Sequence, residues 1–379
     1  MNFDLSEQQQ LVSDSIERFV LDNYDLESRV AIVKQTPGFS LDYWKTMSDL
    51  GWFGLPFTEE DGGFGGDQVD TMVLMEQFGK GLVLEPFLAS IVLGGGVLKR
   101  VASETQRKAW LEAVIDGSKQ LALAYAEPES GFEPHNVAVS GNKTADGYTL
   151  TGTKCMVLHG KTADAFVVSF RTSGGVVDQS GISLALIPAD RQGLAVQGFP
   201  TVDGLQSSEL TFDQVIVTAD DMLGKIDNGF GPLNEVINDG ILAVAAEAVG
   251  AMEILYKDTV AYTQEREQFD HPLSDFQVLQ HRMVEMFMEY EQCKSLLFRA
   301  TMEVAAGGDD AQRCVHALKH LIGKAAFFVG ENAVQTHGGM GVTEELRVGH
   351  YFKRLLVIEA QFGNTDYHLD QFSTCYSAE

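Results

Sequence analysis

Between residue 6 and about residue 121 the apolar positions recur at helical spacing. Leu11, Ile16, Phe19 and Val20 form one face, and Ser6 with Gln9 three residues on predicts a capping box that starts the helix. From about residue 122 to 224 the period shortens and turn residues punctuate it. Asp146-Gly147 predicts a hairpin leading into residues 148–151, and residues 166–170, 182–187 and 210–217 read as further strands. Beyond Asp227-Asn228-Gly229-Phe230-Gly231-Pro232, long helical runs extend to Ala360, broken at Pro272 and at Gly307-Gly308. The pattern predicts an α+β chain with an N-terminal α-helical domain over residues 1–121, a middle β domain over 122–229 and a C-terminal α-helical domain over 230–379.

A chain of 379 residues exceeds the size at which one core keeps growing, so two or three domains are expected. Acidic residues number 54 against 27 basic, a net charge of −27 that repels phosphate backbones and anionic lipid; nucleic acid and membranes are not expected as partners. The most apolar stretch, residues 241–252, is too short for a bilayer and contains Glu247. The opening Met1-Asn2-Phe3-Asp4 lacks the basic start and apolar core of a secretion leader, so a cytoplasmic location is expected. Cys155, Cys293, Cys314 and Cys375 have neither CxxC nor metal-ligand spacing, which predicts free thiols and no metal centre.

Gly338-Gly339-Met340-Gly341 lacks the preceding strand and the GxGxxG spacing of a dinucleotide fold, and no Walker lysine motif occurs, which disfavours a nicotinamide or nucleotide-hydrolysing enzyme. Glu247, set among Ala243, Val244, Ala245, Ala246, Ala248 and Val249, is predicted to be buried; such an acid is paired with an arginine or lysine, or it is functional. Arg266, in Glu265-Arg266-Glu267, suits either a solvated arginine or a fork for a phosphate group.

Several segments taken together resemble the acyl-CoA dehydrogenases along nearly the whole chain. They are the loop from Glu59 to Gly66 followed by Met75-Glu76-Gln77-Phe78-Gly79, then Ala126-Glu127-Pro128-Glu129-Ser130-Gly131 and Lys154-Cys155-Met156-Val157-Leu158-His159-Gly160. In the last third come Arg266-Glu267-Gln268-Phe269, Gln335-Thr336-His337-Gly338-Gly339-Met340-Gly341 and Phe362-Gly363-Asn364-Thr365. Gly81-Leu82-Val83-Leu84-Glu85-Pro86-Phe87 and Gly349-His350-Tyr351-Phe352-Lys353-Arg354 resemble the pimeloyl-CoA dehydrogenase small-subunit subgroup. The resemblance implies a helical N-terminal domain, a middle β-barrel or sandwich and a C-terminal four-helix bundle. It also implies flavin adenine dinucleotide (FAD) as cofactor, an acyl-CoA thioester as substrate and an electron-transfer flavoprotein as electron acceptor. Tyr125, Ala126, Met156, Leu158, Arg266, Phe269, Gln277, Gln335, Gly338, Gly339 and Thr365 become the expected cofactor contacts. In the family the residues of the Arg266 and Gln335 type reach cofactors across a subunit boundary, so a homo- or hetero-oligomer is expected.

Three departures stand out. The Ser-Asp ending of the middle signature is Phe132-Glu133, the Trp-x-Ser/Thr of the flavin strand is Met156-Val157-Leu158, and many relatives carry the catalytic glutamate where this chain has Gly363. Glycine cannot take a proton. Asp239, one residue before the site that some relatives use instead, is the first candidate base and Glu247 the second; Gly363 retains a backbone N–H for the thioester carbonyl. The same departures suit a half-site subunit that pairs with a catalytic homologue, and an oxygen-using flavin enzyme of the same fold is a further alternative. A dicarboxylyl substrate would want a cation at the far end of its cavity, for which Arg100, Arg107 and Lys80 are available.

Overall fold

The computed structural model describes residues 5–377, so the leader reading of Met1-Asn2-Phe3-Asp4 lies outside the described residues. The chain divides into two compact units. One takes the described residues up to Ile32, Asp67–Val83 and everything from Ile241 onward; the other takes Val33–Gly66 and Leu84–Gly240.

The first unit is helical. Its opening helix, Glu7–Asn23, begins at the predicted capping box: the Ser6 hydroxyl accepts from the Gln9 N–H and the Gln9 side chain accepts from the Ser6 N–H. The buried face is Ser13, Ile16 and Val20, and Leu11 is 70 % exposed. Ile16 and Val20 face inward as expected and Phe19 is half-buried, while at the start of the helix Ser13 takes the inward place expected of Leu11. Ser13 belongs inside because its hydroxyl accepts from the buried Gln77 side chain at 2.9 Å, a polar match that apolar periodicity does not register.

Helix Phe230–Glu265 carries Pro232 in its first turn, where a missing N–H costs nothing, and residues 241–252 along it are all buried. Helix Gln68–Gly81 crosses it at two glycines. A Cβ on Gly79 would collide with the Glu247 carbonyl oxygen, and one on Gly250 with that of Glu76. Only glycine permits this approach of two backbones. Helices Gln277–Ala305, Ala311–His337, Arg347–Ala360 and Thr365–Ser377 complete the unit, with the Gly307-Gly308 pair between the first two as the sequence predicts.

The second unit is built on an eight-stranded sheet of β1 (Leu121–Ala124), β2 (Ser140–Lys143), β3 (Gly147–Leu158), β4 (Ala165–Arg171), β5 (Ile182–Pro188), β6 (Leu194–Pro200), β7 (Gln206–Thr218) and β8 (Met222–Leu223). The order is β6-β7-β3-β2-β4-β5-β8, with β1 pairing in parallel with β4. Asp146-Gly147 does turn the chain from β2 into β3, whose Lys143 and Tyr148 pair across it. Strand β3 then continues to Leu158, well past the four residues expected, because β7 runs alongside it for its whole length. Phe166, Phe170, Leu210, Phe212, Val215 and Val217 alternate inward to form the sheet's core. Each large side chain so buried stabilises by about 2 kcal/mol.

Candidate functional site

The turn between helices Arg347–Ala360 and Thr365–Ser377 contains Gly363. Phe362 has φ +59° and Gly363 φ +115°, and a Cβ on Gly363 would lie 2.7 Å from His368 Nε2 and closer still to the Tyr367 ring. A side chain at 363 would be strained by this φ and would need Tyr367 and His368 to shift, so the turn as it stands suits glycine. The turn is held from several directions. Lys319 Nζ, on helix Ala311–His337, donates to Gly363 O at 2.7 Å and to Glu359 O at 2.8 Å. Glu359 in turn accepts from the Thr365 N–H and hydroxyl, and Asn364 Oδ1 accepts from the Tyr367 N–H to start the last helix. Lys319 is fully buried; burial pulls its pKa down to about 7 while Glu359 pulls the other way.

Glu247 is 5 % exposed and Arg354 3 %. Their side chains meet in a fork, Nε to Oε1 and Nη2 to Oε2, both at 2.6 Å. The predicted cationic partner of Glu247 is thus an arginine on the helix that leads into the Gly363 turn.

Asp239 lies in the other unit, half-buried. Arg100 Nη2 donates to it at 2.7 Å, while Arg100 Nε donates to Glu235 at 3.0 Å and Nη1 to Gly96 O at 3.1 Å.

Arg266, Phe269, Gln277 and Gln335 are all exposed. Arg266 closes helix Phe230–Glu265 and leads into a two-stranded hairpin, Glu267–Gln268 against His271–Pro272, whose turn residues Phe269 and Asp270 both have positive φ. That turn lifts the Phe269 ring to 83 % exposure. Gln335 stands in the last turn of helix Ala311–His337, followed by Gly338 and Gly339, where an added Cβ would meet nothing within 4 Å. What brings these two segments together is a pair that sequence reasoning missed: the His337 ring stacks on Tyr262 with centroids 4.3 Å apart. The aromatic and the histidine sit inside the quoted motifs' flanks, but nothing in spacing alone joins residues 75 apart.

Tyr125 and Ala126 follow β1, and Cys155 N donates to Ala126 O at 2.9 Å. The pairing of β3 with β7 slips between Lys154 and Val157, and in that bulge Met156 takes φ +51° and is 53 % exposed, with Leu158 half-buried beyond it. Beneath lies a second missed pair. Lys154 Nζ, fully buried, donates to Glu127 Oε1 at 2.6 Å, Tyr125 O at 2.9 Å and Ser169 Oγ at 3.0 Å, and Glu127 accepts from the Ala138 and Val139 N–H groups. Burial lowers the Lys154 pKa to about 8 against the pull of Glu127. This pair fixes the segment from Ala126 to Gly131 to β3.

These surfaces suit FAD. Arg266 forms no ion pair among the described residues and is free to fork a pyrophosphate; Phe269 offers an uncovered ring, and Gly338 and Gly339 leave room for a ligand against the backbone. Thr365, by contrast, has its N–H and hydroxyl engaged by Glu359. Among the described residues no cluster of metal-ligating side chains occurs, and no helix is long and apolar enough to cross a membrane.

Three family models match the chain: acyl-CoA dehydrogenase N-terminal domain over residues 6–118, middle domain over 122–215 and C-terminal domain over 227–374. The chain is 27 % identical over 371 residues to a probable acyl-CoA dehydrogenase of Bacillus subtilis, covering 97 % of each. It is 27 % identical over 378 residues to the short-chain specific acyl-CoA dehydrogenase of Clostridium acetobutylicum, again covering 97 % of each. Among solved structures, PigA with FAD and proline superposes with a TM-score of 0.92 at 25 % identity, covering 100 % of this chain and 99 % of that one.

Proposed function

The chain belongs to the acyl-CoA dehydrogenase family and is an FAD-dependent oxidoreductase; from that premise we propose that it converts an acyl-CoA to the trans-2-enoyl-CoA and passes the electrons to an electron-transfer flavoprotein in the cytoplasm. The observation that carries the reading is the uncovered Arg266, Phe269, Gly338 and Gly339 surface, which the Tyr262–His337 stack assembles from two distant segments. FAD, when bound, supplies the acceptor for the β-hydride.

The residues divide the remaining work. Arg266 and Gln335 bind the cofactor's polar groups, Phe269 covers it, and Met156, Leu158, Tyr125 and Ala126 line the flavin end. Gln277 is a further cofactor contact of this reading, and Thr365, with its N–H and hydroxyl engaged by Glu359, is the weakest of the set. The Gly363 N–H donates to the thioester carbonyl, which acidifies the α-carbon, and a carboxylate takes the α-proton. Asp239 is the proposed base, and Glu247, both of whose oxygens accept from Arg354, is the second candidate. Exposed Val284, Phe287 and Met288 lie on one side of helix Gln277–Ala305, an apolar stripe that supports an oligomer with a second copy or a related chain over it.

A second reading rests on a specific observation. A side chain at Gly363 would be strained, and both candidate acids are in ion pairs with arginine, which suits a half-site subunit whose partner carries the base. For the acyl group, the resemblance to pimeloyl-CoA dehydrogenase small subunits favours fatty or dicarboxylic acyl chains. Arg100, Arg107 and Lys80 each already hold a carboxylate, which weakens them as anchors for a second acid group.

The test is a visible spectrum of the chain purified alone, followed by anaerobic titration with a panel of acyl-CoAs. Flavin that bleaches with the parent and not with Asp239→Asn supports the homomeric dehydrogenase. Flavin that no acyl-CoA reduces until a homologous chain is added supports the half-site reading.

A further inference from the structure

Gly363 is buried, and its N–H donates to no group among the described residues. An unused donor inside a closely held turn is costly unless a ligand takes it. The same peptide unit carries the Phe362 carbonyl, and that oxygen is not idle: it lies 3.0 Å from His368 Nε2. His368 Nδ1 lies 2.9 Å from His316 Nδ1, and His316 Nε2 lies 2.8 Å from the Gln312 side-chain nitrogen.

The polarity of this row is fixed from its inner end. A carbonyl only accepts, so His368 carries its proton on Nε2 and accepts at Nδ1; His316 then donates from Nδ1 and accepts at Nε2 from the Gln312 amide. One neutral tautomer of each ring satisfies every link. Burial, reinforced for His368 by Lys319 and His316, lowers the two pKa values to about 3 for His368 and about 4 for His316, so both rings are neutral in ordinary conditions. Neither ring has a part in the proposed turnover.

We propose that His368, aligned by His316 and Gln312, is a positioning residue that polarises and orients the Phe362–Gly363 peptide, so that the Gly363 N–H becomes a stronger and better-aimed donor to the thioester carbonyl. A peptide whose oxygen accepts a hydrogen bond donates more strongly through its nitrogen, because the bonds along a chain polarise one another. Lys319 fixes the following carbonyl, so the peptide is held on both sides while its N–H is left open. In a chain without a side chain at 363, this gives the backbone donor a larger share of the work. The proposal rests on the reading that Gly363 meets the thioester.

The test uses the FAD-loaded enzyme, reduced and anaerobic so that ligand binds without turnover, saturated with butyryl-CoA carrying 13C at the thioester carbonyl. Difference infrared spectra report the carbonyl stretch. Binding to the parent is expected to lower it, His368→Leu to remove about a fifth of that shift, and Gln312→Leu to remove less. The thioether analogue, which has no carbonyl, is expected to bind all three equally, and turnover of His368→Leu to fall about tenfold in kcat with KM unchanged. Should His368→Leu not fold, Gln312→Leu at the half-buried end of the row carries the test. A parent-like carbonyl shift in a folded variant overturns the proposal. A parent that leaves the carbonyl unshifted overturns the Gly363 reading and this proposal together, and that result is visible before any variant is made.

Discussion

Arg354 and Glu247 form a buried fork–fork ion pair, two hydrogen bonds of 2.6 Å between residues 107 apart in sequence. Removing one partner leaves an uncompensated charge in the core. Arg354→Leu or Glu247→Leu is therefore expected to cost about 3–5 kcal/mol, read from urea unfolding of the purified chain, whereas the double replacement Glu247→Leu with Arg354→Met recovers most of that loss. A stable, inactive Glu247→Leu would instead assign Glu247 to proton transfer.

The turn at Gly363 makes an equally direct prediction. Gly363→Ala puts a Cβ at φ +115° against Tyr367 and His368 and is expected to destabilise by about 1–3 kcal/mol, seen as a lower Tm. Gly363→Glu is expected to behave no better and to leave catalysis unimproved, because the side chain cannot be accommodated without moving the turn. Enhanced reduction of flavin by Gly363→Glu with an unchanged Tm would contradict this.

Lys319 sets a pH signature on the alkaline side. Its folded pKa is about 7 and its ordinary value 10.5, so between those values the unfolded chain binds more protons than the folded one. Stability should rise with pH through that window, since the penalty of burying the charge is relieved as Lys319 deprotonates. Urea midpoints measured from pH 7 to 10 are expected to show this contribution in the parent and to lack it in Lys319→Met.

The histidine pair acts on the acid side. With folded values of about 4 for His316 and about 3 for His368 against an ordinary 6.5, the unfolded state again holds the extra protons. Stability is expected to fall as pH drops from about 6.5 towards those values. His316→Leu paired with His368→Leu should flatten that part of the profile relative to the parent.

Arg266→Gln and Phe269→Ala change exposed side chains and are expected to leave the unfolding midpoint in place. What should change is the flavin-to-protein absorbance ratio after gel filtration, with the larger drop for Arg266→Gln because it removes the charge-assisted fork. Parent-like flavin retention in both would remove this surface from the cofactor site.

Local chemistry made much of the fold legible. The Ser6–Gln9 box, the Asp146-Gly147 turn and the short β-prone runs of β4, β5 and β7 each depend on neighbours a few residues apart, and each formed as the pattern predicts. Leu11 misled because four apolar residues drew a face that Ser13, through its bond with Gln77, in fact defines. Around the candidate site, Glu247 was readable as a buried acid wanting a cation, yet nothing within its own helix named Arg354. Lys319 and His316 drew no notice in the sequence, because their partners come from the turn and helix that follow more than 40 residues later. Burial of polar groups is settled by tertiary pairing, which periodicity does not encode.

The glycine crossing near Glu247 has a consequence along the helix axis as well as across it. With Gly79 seated on the Glu247 carbonyl and Gly250 on that of Glu76, neither helix can slide by one residue without driving a side chain into the other's backbone. The contact works as a bolt that sets register. A one-residue insertion between positions 247 and 250 therefore could not be absorbed as a local bulge. It would force a choice between two incompatible alignments, each displacing everything on one side of the bolt by a full residue step.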